Sequence, residues 1–464
     1  MPLIIPANTL SGGYEVANSC LFGGTDNEYM SKTLGTPSST KKMTWSFWTK
    51  KTRNENDGHI ATVYGDGSNY GTLNWTDANK FQVFQYISGS IQLNLITEQQ
   101  FRDNSAWSHF VIQMDTTQST ASDRCKVWHN GSRITDWATE TYWAQDTAIK
   151  LNEASASLVI NAITTGSQYH GYVAEFIMCD GQTYQASDFG EFDEDSPTIW
   201  KPKDPSDLTF GTNGFWLDFE DSANLGNDAN GGTDLSETNF AATDQATDTP
   251  TNNFCTLNAL DNYFAGSTFS EGNLKIVTSS GNYTFNTGTI GVAAGKWYWE
   301  VKVDSNSTED LIGITKNVST GTTNYLGQNT GAVGHNDNGN AYVAGSNNSY
   351  GTSYTTNDII GVALDVDNNK LYFSKNGTFQ NSGVPTSGST GTGAISIDAI
   401  SGDFYFPAIG EFEGSASGTF SVNFGSPSFA ISSGNSDANG YGNFEYSVPT
   451  GYYALCTKNL AEFG

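Results

Sequence analysis

Apolar and polar residues alternate along most of this 464-residue chain, in short runs separated by glycine, asparagine and aspartate. The run MTWSFWTKK, Met43 to Lys51, places its first, third and fifth side chains on one face of a strand. CKVWHNGSRITDW, Cys125 to Trp137, contains two short strands joined by Asn130-Gly131, the strongest short hairpin signal. Strands at this density, separated by turn residues, predict an all-β chain of the sandwich or jelly-roll kind.

The alternation is interrupted between residues 218 and 256. The interrupting stretch begins DFEDSANLG and is polar, acidic and rich in turn residues, with almost no periodic apolar positions. Such a composition predicts an irregular connector. We therefore predict two tandem β-sandwich domains with this division of the chain: a jelly roll at 1–217, a connector at 218–256, a second sandwich at 257–425 and a C-terminal extension at 426–464.

Two segments that flank the second sandwich resemble each other. NNFCTLNAL covers residues 252–260, and YYALCTKNL covers residues 452–460. The likeness is faint, and it suggests two analogous closing elements.

Acidic and amide residues crowd positions 365–369 within GVALDVDNNKLYFSKNG, which runs from Gly361 to Gly377. A calcium loop of the EF-hand kind needs glycine at its sixth position and glutamate at its twelfth, and these positions hold Lys370 and Asn376. Alternation on both sides of the cluster instead favours a β-hairpin with a tight turn. An irregular cation site is the remaining alternative.

The overall charge argues against two classes of partner. The formal net charge is −28 and the sequence pI is near 4.3. Such a surface repels phosphate backbones and anionic membranes, so we expect no nucleic-acid partner and no membrane insertion. No stretch reaches the roughly 18 consecutive apolar residues of a membrane span.

The five cysteines are widely spaced, without the short spacing of a zinc or redox motif. Cys125 and Cys179 lie in apolar strand patterns and are interpreted as small core residues. The N-terminus, MPLIIPANTLSGG, lacks the basic and apolar regions of a standard secretion signal. We expect synthesis in a reducing cytoplasm and, if the protein acts outside a cell, export by another route such as a virus particle.

Five runs in the second half resemble a SPRY domain in order and spacing. They are GKWYWEVKV, LIGITK, GVALDVDNNKLYFSKNGTF, YFPAIG and FSVNFG, within about residues 257–425. The resemblance implies a bent β-sandwich that binds protein partners through the loops at one end. SPRY domains have no catalytic residues to carry over.

The first half resembles the concanavalin-like, laminin-G-type jelly roll. The resemblance rests on CLFGGTDNEYMSKTLGT, KMTWSFWTKK, KVWHNGSRI and GYVAEFIMCDGQTYQASDFGEFDED. Together with WKPKDPSDLTFGTNGFWLDFED and the SPRY-like half, this combination is similar to large virion proteins of marine bacteriophages, which are tail-fibre, adhesin-like or capsid-decorating components. The resemblance implies a location in the virion, other capsid or tail proteins as partners, and a homo-oligomer within the assembly.

Some laminin-G-type domains bind calcium at a rim, so this resemblance makes a calcium ion conceivable, although no cofactor is expected to be required. Asp26, Asp66 and Asp180 lie in suitable loops and are the candidate metal ligands. The alternative is that these residues form turns, which is the commoner role of aspartate in loops.

The concanavalin-like fold also hosts glucanases, in which Glu-x-Asp-x-x-Glu or Glu-x-Asp-x-Glu on one strand points three carboxylates into a cleft. EFDEDS, Glu191 to Ser196, comes close. The last glutamate falls on Ser196 in the longer form and on Asp195 in the shorter form. Since Pro197 follows and the context is a loop, we expect no catalysis there.

The SPRY-like half contains a polar insertion from Thr322 to Asp358 with tyrosines among asparagine and glycine. Tyrosine faces can stack on sugar rings while asparagine amides bond to hydroxyls, as in adaptable antibody loops. The alternative is an ordinary β-meander that covers the core. The candidate glycan- or partner-binding residues are Tyr325, Tyr342, Tyr350 and Tyr354.

These observations favour a non-enzymatic structural protein of a phage virion. It would decorate the capsid or form part of a tail fibre and present lectin-like surfaces for attachment to a host glycan. The alternative is a calcium-dependent carbohydrate-binding lectin, and a glycoside hydrolase is the third hypothesis.

Overall fold

The computed structural model of the chain describes residues 13–23, 27–54, 57–163, 167–262, 266–281, 283–307, 309–318, 323–412 and 417–464. The chain forms two compact units, of which the first ends at Thr251 and the second begins at Asn252. Regular structure is almost entirely strand, which confirms the all-β prediction.

The first unit consists of strands joined mostly by tight turns, with one short helix, α1, at Ala186–Phe189. Short 3₁₀ turns lie at Ala121–Asp123, Lys150–Asn152 and Ala242–Asp244. The strands are β1 Ser19–Phe22, β2 Tyr29–Thr33, β3 Lys42–Lys51, β4 Gly58–Asp66, β5 Asn69–Trp75, β6 Phe81–Ile87, β7 Ser90–Thr97, β8 Ser108–Asp115, β9 Cys125–His129, β10 Ser132–Arg133, β11 Trp137–Thr141, β12 Ser157–Ile160, β13 Gly171–Asp180, β14 Gly190–Phe192, β15 Trp200–Pro202, β16 Phe215–Leu217, β17 Ser236–Thr238 and β18 Gln245–Ala246.

Two antiparallel sheets form the sandwich of this unit. Sheet 1 has the strand order β10-β9-β8-β3-β13-β1-β18, with β16 also on β13, and sheet 2 has the order β11-β7-β6-β5-β4-β12-β2-β17. Phe47 and Phe110 of sheet 1 pack against Phe81 of sheet 2, with 4.7 Å between the ring centroids of Phe81 and Phe110. The inward faces are those that the alternation predicted, because side chains two apart point the same way.

Residues 218–251 are part of the first unit, which corrects the predicted connector. Leu225 and Leu235 are buried in its core, although no period marks them in the sequence. β17 and β18 extend sheets 2 and 1 respectively. Side-chain hydrogen bonds hold the rest, since the Asp228 carboxylate accepts the backbone N–H of Trp216 at 3.0 Å. Turn-rich chain can pack this way because polar side chains satisfy its backbone.

The second unit is also built of strands and ends in one helix, α2, at Thr457–Phe463. Short 3₁₀ turns lie at Glu271–Asn273, Gln380–Ser382 and Pro385–Thr390. The strands are β19 Thr268–Ser270, β20 Lys275–Val277, β21 Thr284–Thr287, β22 Lys296–Ser305, β23 Asp310–Thr315, β24 Ala332–Asn336, β25 Asn340–Val343, β26 Ser346–Ser349, β27 Ile359–Asp365, β28 Lys370–Lys375, β29 Thr378–Phe379, β30 Ile395–Ser396, β31 Phe406–Glu411, β32 Thr419–Asn423 and β33 Tyr453–Ala454.

These strands form a second sandwich. Sheet 3 has the order β19-β20-β32-β22-β27-β28-β29, with β30 on β28 and β33 on β22, and sheet 4 has the order β21-β31-β23-β24-β25-β26. β27 and β28 pair in antiparallel register from Ile360–Lys375 to Asp365–Lys370, which confirms the predicted hairpin. Asp365 accepts hydrogen bonds from Asn368 and pairs with the Lys296 ammonium at 3.1 Å, so the acidic cluster closes a turn.

The two segments with the faint resemblance lie side by side in the second unit. Thr457 N–H donates to the Asn253 carbonyl at 2.9 Å, and Cys255 N–H donates to the Leu455 carbonyl at 3.0 Å. Phe254 belongs to an aromatic cluster that the C-terminal residues cover on the outer side of sheet 3. The predicted C-terminal extension is therefore an integral layer of this unit. Within the described parts of the chain, no helix is long and apolar enough to cross a membrane.

Candidate functional site

A pocket of about 300 Å³ lies at one end of the first sandwich. Strands β3, β5 and β9 end there and β8 begins there. Residues 99–103, 106 and 107 of the β7–β8 connection complete its wall. Antiparallel pairing in sheet 1 brings the ends of β3 and β9 beside the start of β8, and β5 of sheet 2 ends at the same pocket. The sandwich therefore places residues far apart in sequence around one small cavity.

Aromatic side chains form the inner wall of this pocket. Trp75, Phe101 and Trp107 are each at most 9% exposed. The ring centroids of Trp75 and Phe101 are 5.3 Å apart, and those of Phe101 and His129 are 4.9 Å apart, both edge to face. The Trp107 indole N–H donates to Asp248 at 2.9 Å, which holds the ring in place. The wall is apolar and its rings are oriented by their neighbours.

Lys51 places a buried cation at the same pocket. Its ammonium donates to Asn79 Oδ1 at 2.8 Å and to the Phe101 carbonyl at 3.1 Å. It also lies 4.9 Å from the centroid of the Trp75 ring, a cation–π distance. Burial lowers the pKa of Lys51 to about 8. Among the described residues, no carboxylate lies within ion-pair distance of this ammonium.

The mouth of the pocket is polar. Gln99, Gln100, Arg102 and Asp103 are exposed there. Asp103 turns toward its own loop, since it accepts the backbone N–H and the hydroxyl of Ser105 at 2.8 and 2.6 Å. An apolar wall with a hydrogen-bonding mouth is the usual construction of a small-molecule site.

A more open groove of about 450 Å³ continues from the pocket. It shares Gln99 and His129 with the pocket and runs toward Arg133 and Asp136. Burial lowers the pKa of His129 to about 4, so this imidazole is neutral at physiological pH. The groove gives a larger ligand a path out of the pocket.

The structure divides the four tyrosines that we predicted as a contact surface between two clusters, with Tyr350 and Tyr354 in one and Tyr325 and Tyr342 in the other. Tyr350 and Tyr354 lie in the hydrophobic core, and the Tyr354 hydroxyl donates to the Asp310 carbonyl at 3.0 Å. Tyr342 is buried and stacks on Phe412 at 4.9 Å. Burial excludes these three side chains as stacking faces for a ligand.

Tyr325 is half-buried and packs edge to face on Phe412 at 4.4 Å, and it also contacts Tyr342 at 5.2 Å. The insertion is therefore closer to the β-meander that was the alternative. The spacing between positions 342 and 350 cannot show that Tyr350 enters the core while Tyr342 packs in a separate cluster with Phe412.

The three candidate calcium ligands do not form a site in the described residues. Asp180 is fully buried and accepts the backbone N–H groups of Ser38 and Asn213 at 2.7 and 3.1 Å and the Asn152 amide at 2.6 Å. Asp66 is exposed and closes its own turn through Ser68 N–H. Asp26 lies outside the described residues. No three histidine, cysteine or acidic side chains converge as a metal site in the part of the chain that the structure describes.

EFDEDS lies on the exposed β14–β15 hairpin. Glu191 and Asp193 pair with the Lys201 ammonium at 3.4 and 3.6 Å. Asp193 also accepts the backbone N–H groups of Asp195 and Ser196, so it closes a turn. The carboxylates do not line a cleft in the manner of a glucanase.

Sequence reasoning missed a buried carboxyl pair in the second unit. Asp310 and Glu411 lie opposite each other on β23 and β31, and neither is exposed. The Ser307 hydroxyl is 2.6 Å from Asp310 Oδ1 and 3.0 Å from Glu411 Oε2, and Thr278 also bonds to Glu411. Burial and the neighbouring carboxyl raise the pKa of Glu411. The two acids are 101 positions apart in sequence, so no local motif contains both of them.

Comparison with known proteins supports one of the two expected domain types directly. Residues 296–423 match the SPRY domain family, which confirms the SPRY prediction for that stretch. Ran-binding protein 9 of Danio rerio is 33% identical over 94 residues, which cover 20% of this chain and 16% of that protein. Human Ran-binding protein 9 is also 33% identical over 94 residues, which cover 13% of it. The chain thus spans a small part of these relatives.

Three solved structures are similar to parts of the chain. The SPRY domain of human HERC1 has 16% identity and a TM-score of 0.26, covering 32% of this chain and 87% of that one. A putative carbohydrate binding protein from Bacteroides ovatus has 15% identity and a TM-score of 0.34, covering 48% and 59%. A pentraxin from Limulus polyphemus has 13% identity and a TM-score of 0.27, covering 36% and 77%. Similarities at this level do not bear on function.

Proposed function

We propose that this chain is a non-enzymatic structural protein of a phage virion, on the capsid or a tail fibre, that presents a lectin-like binding site to a host-surface glycan. The observation that supports the binding role is the pocket walled by Trp75, Phe101 and Trp107 with a mouth of amide and charged side chains. A sugar ring offers one apolar face and several hydroxyls, and such a pocket offers partners for both.

The second unit is proposed to make contacts with other virion proteins or with further copies of the chain. The SPRY match at residues 296–423 supports this role. Strand β26, Ser346–Ser349, is exposed along its length at the edge of sheet 4. An edge strand offers unpaired backbone groups to a neighbouring chain, and assembly would cover them.

The location is tested on purified particles. Antibody raised against the full chain, with gold labelling in the electron microscope, should decorate a single structural element of the particle at regular spacing. If the protein is found in infected cells but is absent from purified particles, the virion role is wrong.

The binding role is tested on a glycan array with the full chain. We expect selective binding that Ala106→Phe abolishes, because residue 106 lines the pocket and a phenyl ring would fill it. Ala223→Phe, at an exposed position of the first unit that lines neither the pocket nor the groove, is the matched control and should bind normally. Unselective binding, or equal binding by both variants, contradicts the proposal. Loss of binding on addition of a chelator supports the calcium-dependent lectin instead.

A further inference from the structure

We propose that the pocket of the first unit recognises a carboxylated sugar, a uronic acid, whose carboxylate is held between Lys51 and Arg102. This inference rests on the proposed function, because it names the ligand class of the same pocket. It is argued from two cations of the pocket, Lys51 and Arg102, for which the described residues supply no carboxylate within ion-pair distance.

The chain is poor in cations, with 21 Lys and Arg against 49 Asp and Glu. Acidic side chains therefore outnumber the cations by more than two to one. Lys51 and Arg102 both line the pocket, and within the described ranges neither has a carboxylate within ion-pair distance. Two such cations at one small cavity make it locally attractive to an anion.

Lys51 provides the inner half of the anion site. Its side chain is 8% exposed, and burying a charge is costly unless hydrogen bonds and an opposite charge compensate. Asn79 Oδ1 and the Phe101 carbonyl accept two of its three N–H groups, and both acceptors are neutral. A ligand carboxylate would supply the opposite charge that the described residues do not place at this ammonium.

Arg102 provides the outer half. Its guanidinium is exposed at the mouth of the pocket and donates to the Gln100 side chain. A guanidinium has five N–H donors in a planar fork, so enough remain for a bidentate bond to a carboxylate. The nearby Asp103 carboxylate is directed at Ser105, which leaves the mouth less repulsive to an anion.

The remaining walls fit the ring of the same ligand. Trp75, Phe101 and Trp107 suit the apolar face of a sugar, while Gln99 and Asn130 suit its hydroxyls. A volume of about 300 Å³ is at the small end for ligand sites, which fits one sugar residue. Further residues of a glycan would extend along the adjoining groove toward Ser132 and Ile134.

The test compares two ligands that differ only in the group attached to C5 of the sugar ring, a carboxylate in one and a hydroxymethyl group in the other. The full chain is titrated with methyl glucuronide and with methyl glucoside in a calorimeter, and binding is repeated at higher salt. We expect the glucuronide to bind about tenfold or more tightly than the glucoside, and its affinity to fall as salt rises.

Arg102→Gln should weaken glucuronide binding by about tenfold and leave glucoside binding unchanged. Because Arg102 is exposed, this variant should fold, and its melting temperature checks that. The control is Lys203→Gln, which removes one positive charge from an exposed site and should change neither affinity.

Equal affinity for the two glycosides, or no effect of Arg102→Gln, would overturn the carboxylate inference while the lectin role of the pocket stands. If neither glycoside binds and the glycan array also shows no binding, both the carboxylate inference and the lectin role of the pocket are wrong.

Discussion

Glu175 is a buried acid on the central strand β13 of the first unit, and its ionisation should control the stability of that unit. It lies in a β-bulge between Ala174 and Ile177, where its φ of 48° is in the left-handed region. The side chain is 5% exposed and accepts the Trp216 indole N–H at 2.9 Å and the Tyr14 hydroxyl at 3.2 Å. Burial raises its pKa to about 8.

The sign and size of the effect follow from this shift. A carboxyl whose pKa is raised in the folded state binds protons more tightly there than in the unfolded chain. Its contribution to the free energy of unfolding is therefore fully present below about pH 4.5. That contribution is lost as the pH rises through about 8. The difference between about 8 and 4.5, at 1.36 kcal/mol per unit, corresponds to roughly 5 kcal/mol. Relaxation around the charged form reduces this figure, so we expect at least about 2 kcal/mol.

Glu175→Gln removes the ionisation and keeps an oxygen for the Trp216 N–H. The variant should therefore gain stability relative to the native chain by about 2 kcal/mol or more between about pH 5 and about pH 8. Scanning calorimetry of the full chain at both values measures this, with the matched acid-to-amide control Asp66→Asn. Asp66 is exposed, and that variant should follow the native chain without such a gain.

The comparison that tests this reasoning is between two differences in the free energy of unfolding, variant minus native, one measured at about pH 5 and one at about pH 8. If Glu175→Gln shifts stability by the same amount at both, Glu175 titrates as it does in the unfolded chain. The reasoning from burial would then be wrong.

Three further predictions concern stability. Asp248→Asn should cost the first unit about 3 kcal/mol in calorimetry, because it removes the carboxylate charge that lies 2.7 Å from the buried Lys50 ammonium. Asp146→Asn, at an exposed pair, should cost less than about 1 kcal/mol. Glu300→Ala should speed proteolysis near residue 445. The buried Glu300 carboxylate accepts the backbone N–H groups of residues 445 and 446 at 2.9 and 2.8 Å, and the variant loses both hydrogen bonds. An unchanged digestion pattern would contradict this prediction. Gly313→Ala should lower the melting temperature of the second unit, because its methyl carbon would lie 1.9 Å from the carbonyl oxygen of residue 333.

Local patterns predicted the strands and turns well, because strand alternation and turn chemistry act over a few residues. β3 is a continuous strand with the predicted inward face, and the chain reverses at residues 367–369 between β27 and β28. Asn369 takes a φ of 57° there, which is the conformation that asparagine tolerates. The SPRY expectation came from the resemblance of five short runs to that family, and residues 296–423 match it.

Polar, aperiodic chain was predicted less well, because its packing depends on distant partners. Residues 218–251 looked like a connector, but Asp248 pairs with Lys50 nearly 200 positions away and is inseparable from the first unit. The tyrosines of the insertion looked available for binding, but Tyr350 and Tyr354, which follow β26, are buried in the core.

The order of residues along the chain is enough to establish the all-β class, the two sandwiches and the strong hairpins, since each depends on neighbours in sequence. The pocket with Lys51 and Arg102 and the opposed acids Asp310 and Glu411 come from strand ends and registers that long-range pairing brings together. Such juxtapositions depend on which strands become neighbours, and strand pairing is determined by the free energy of the whole fold rather than by local sequence.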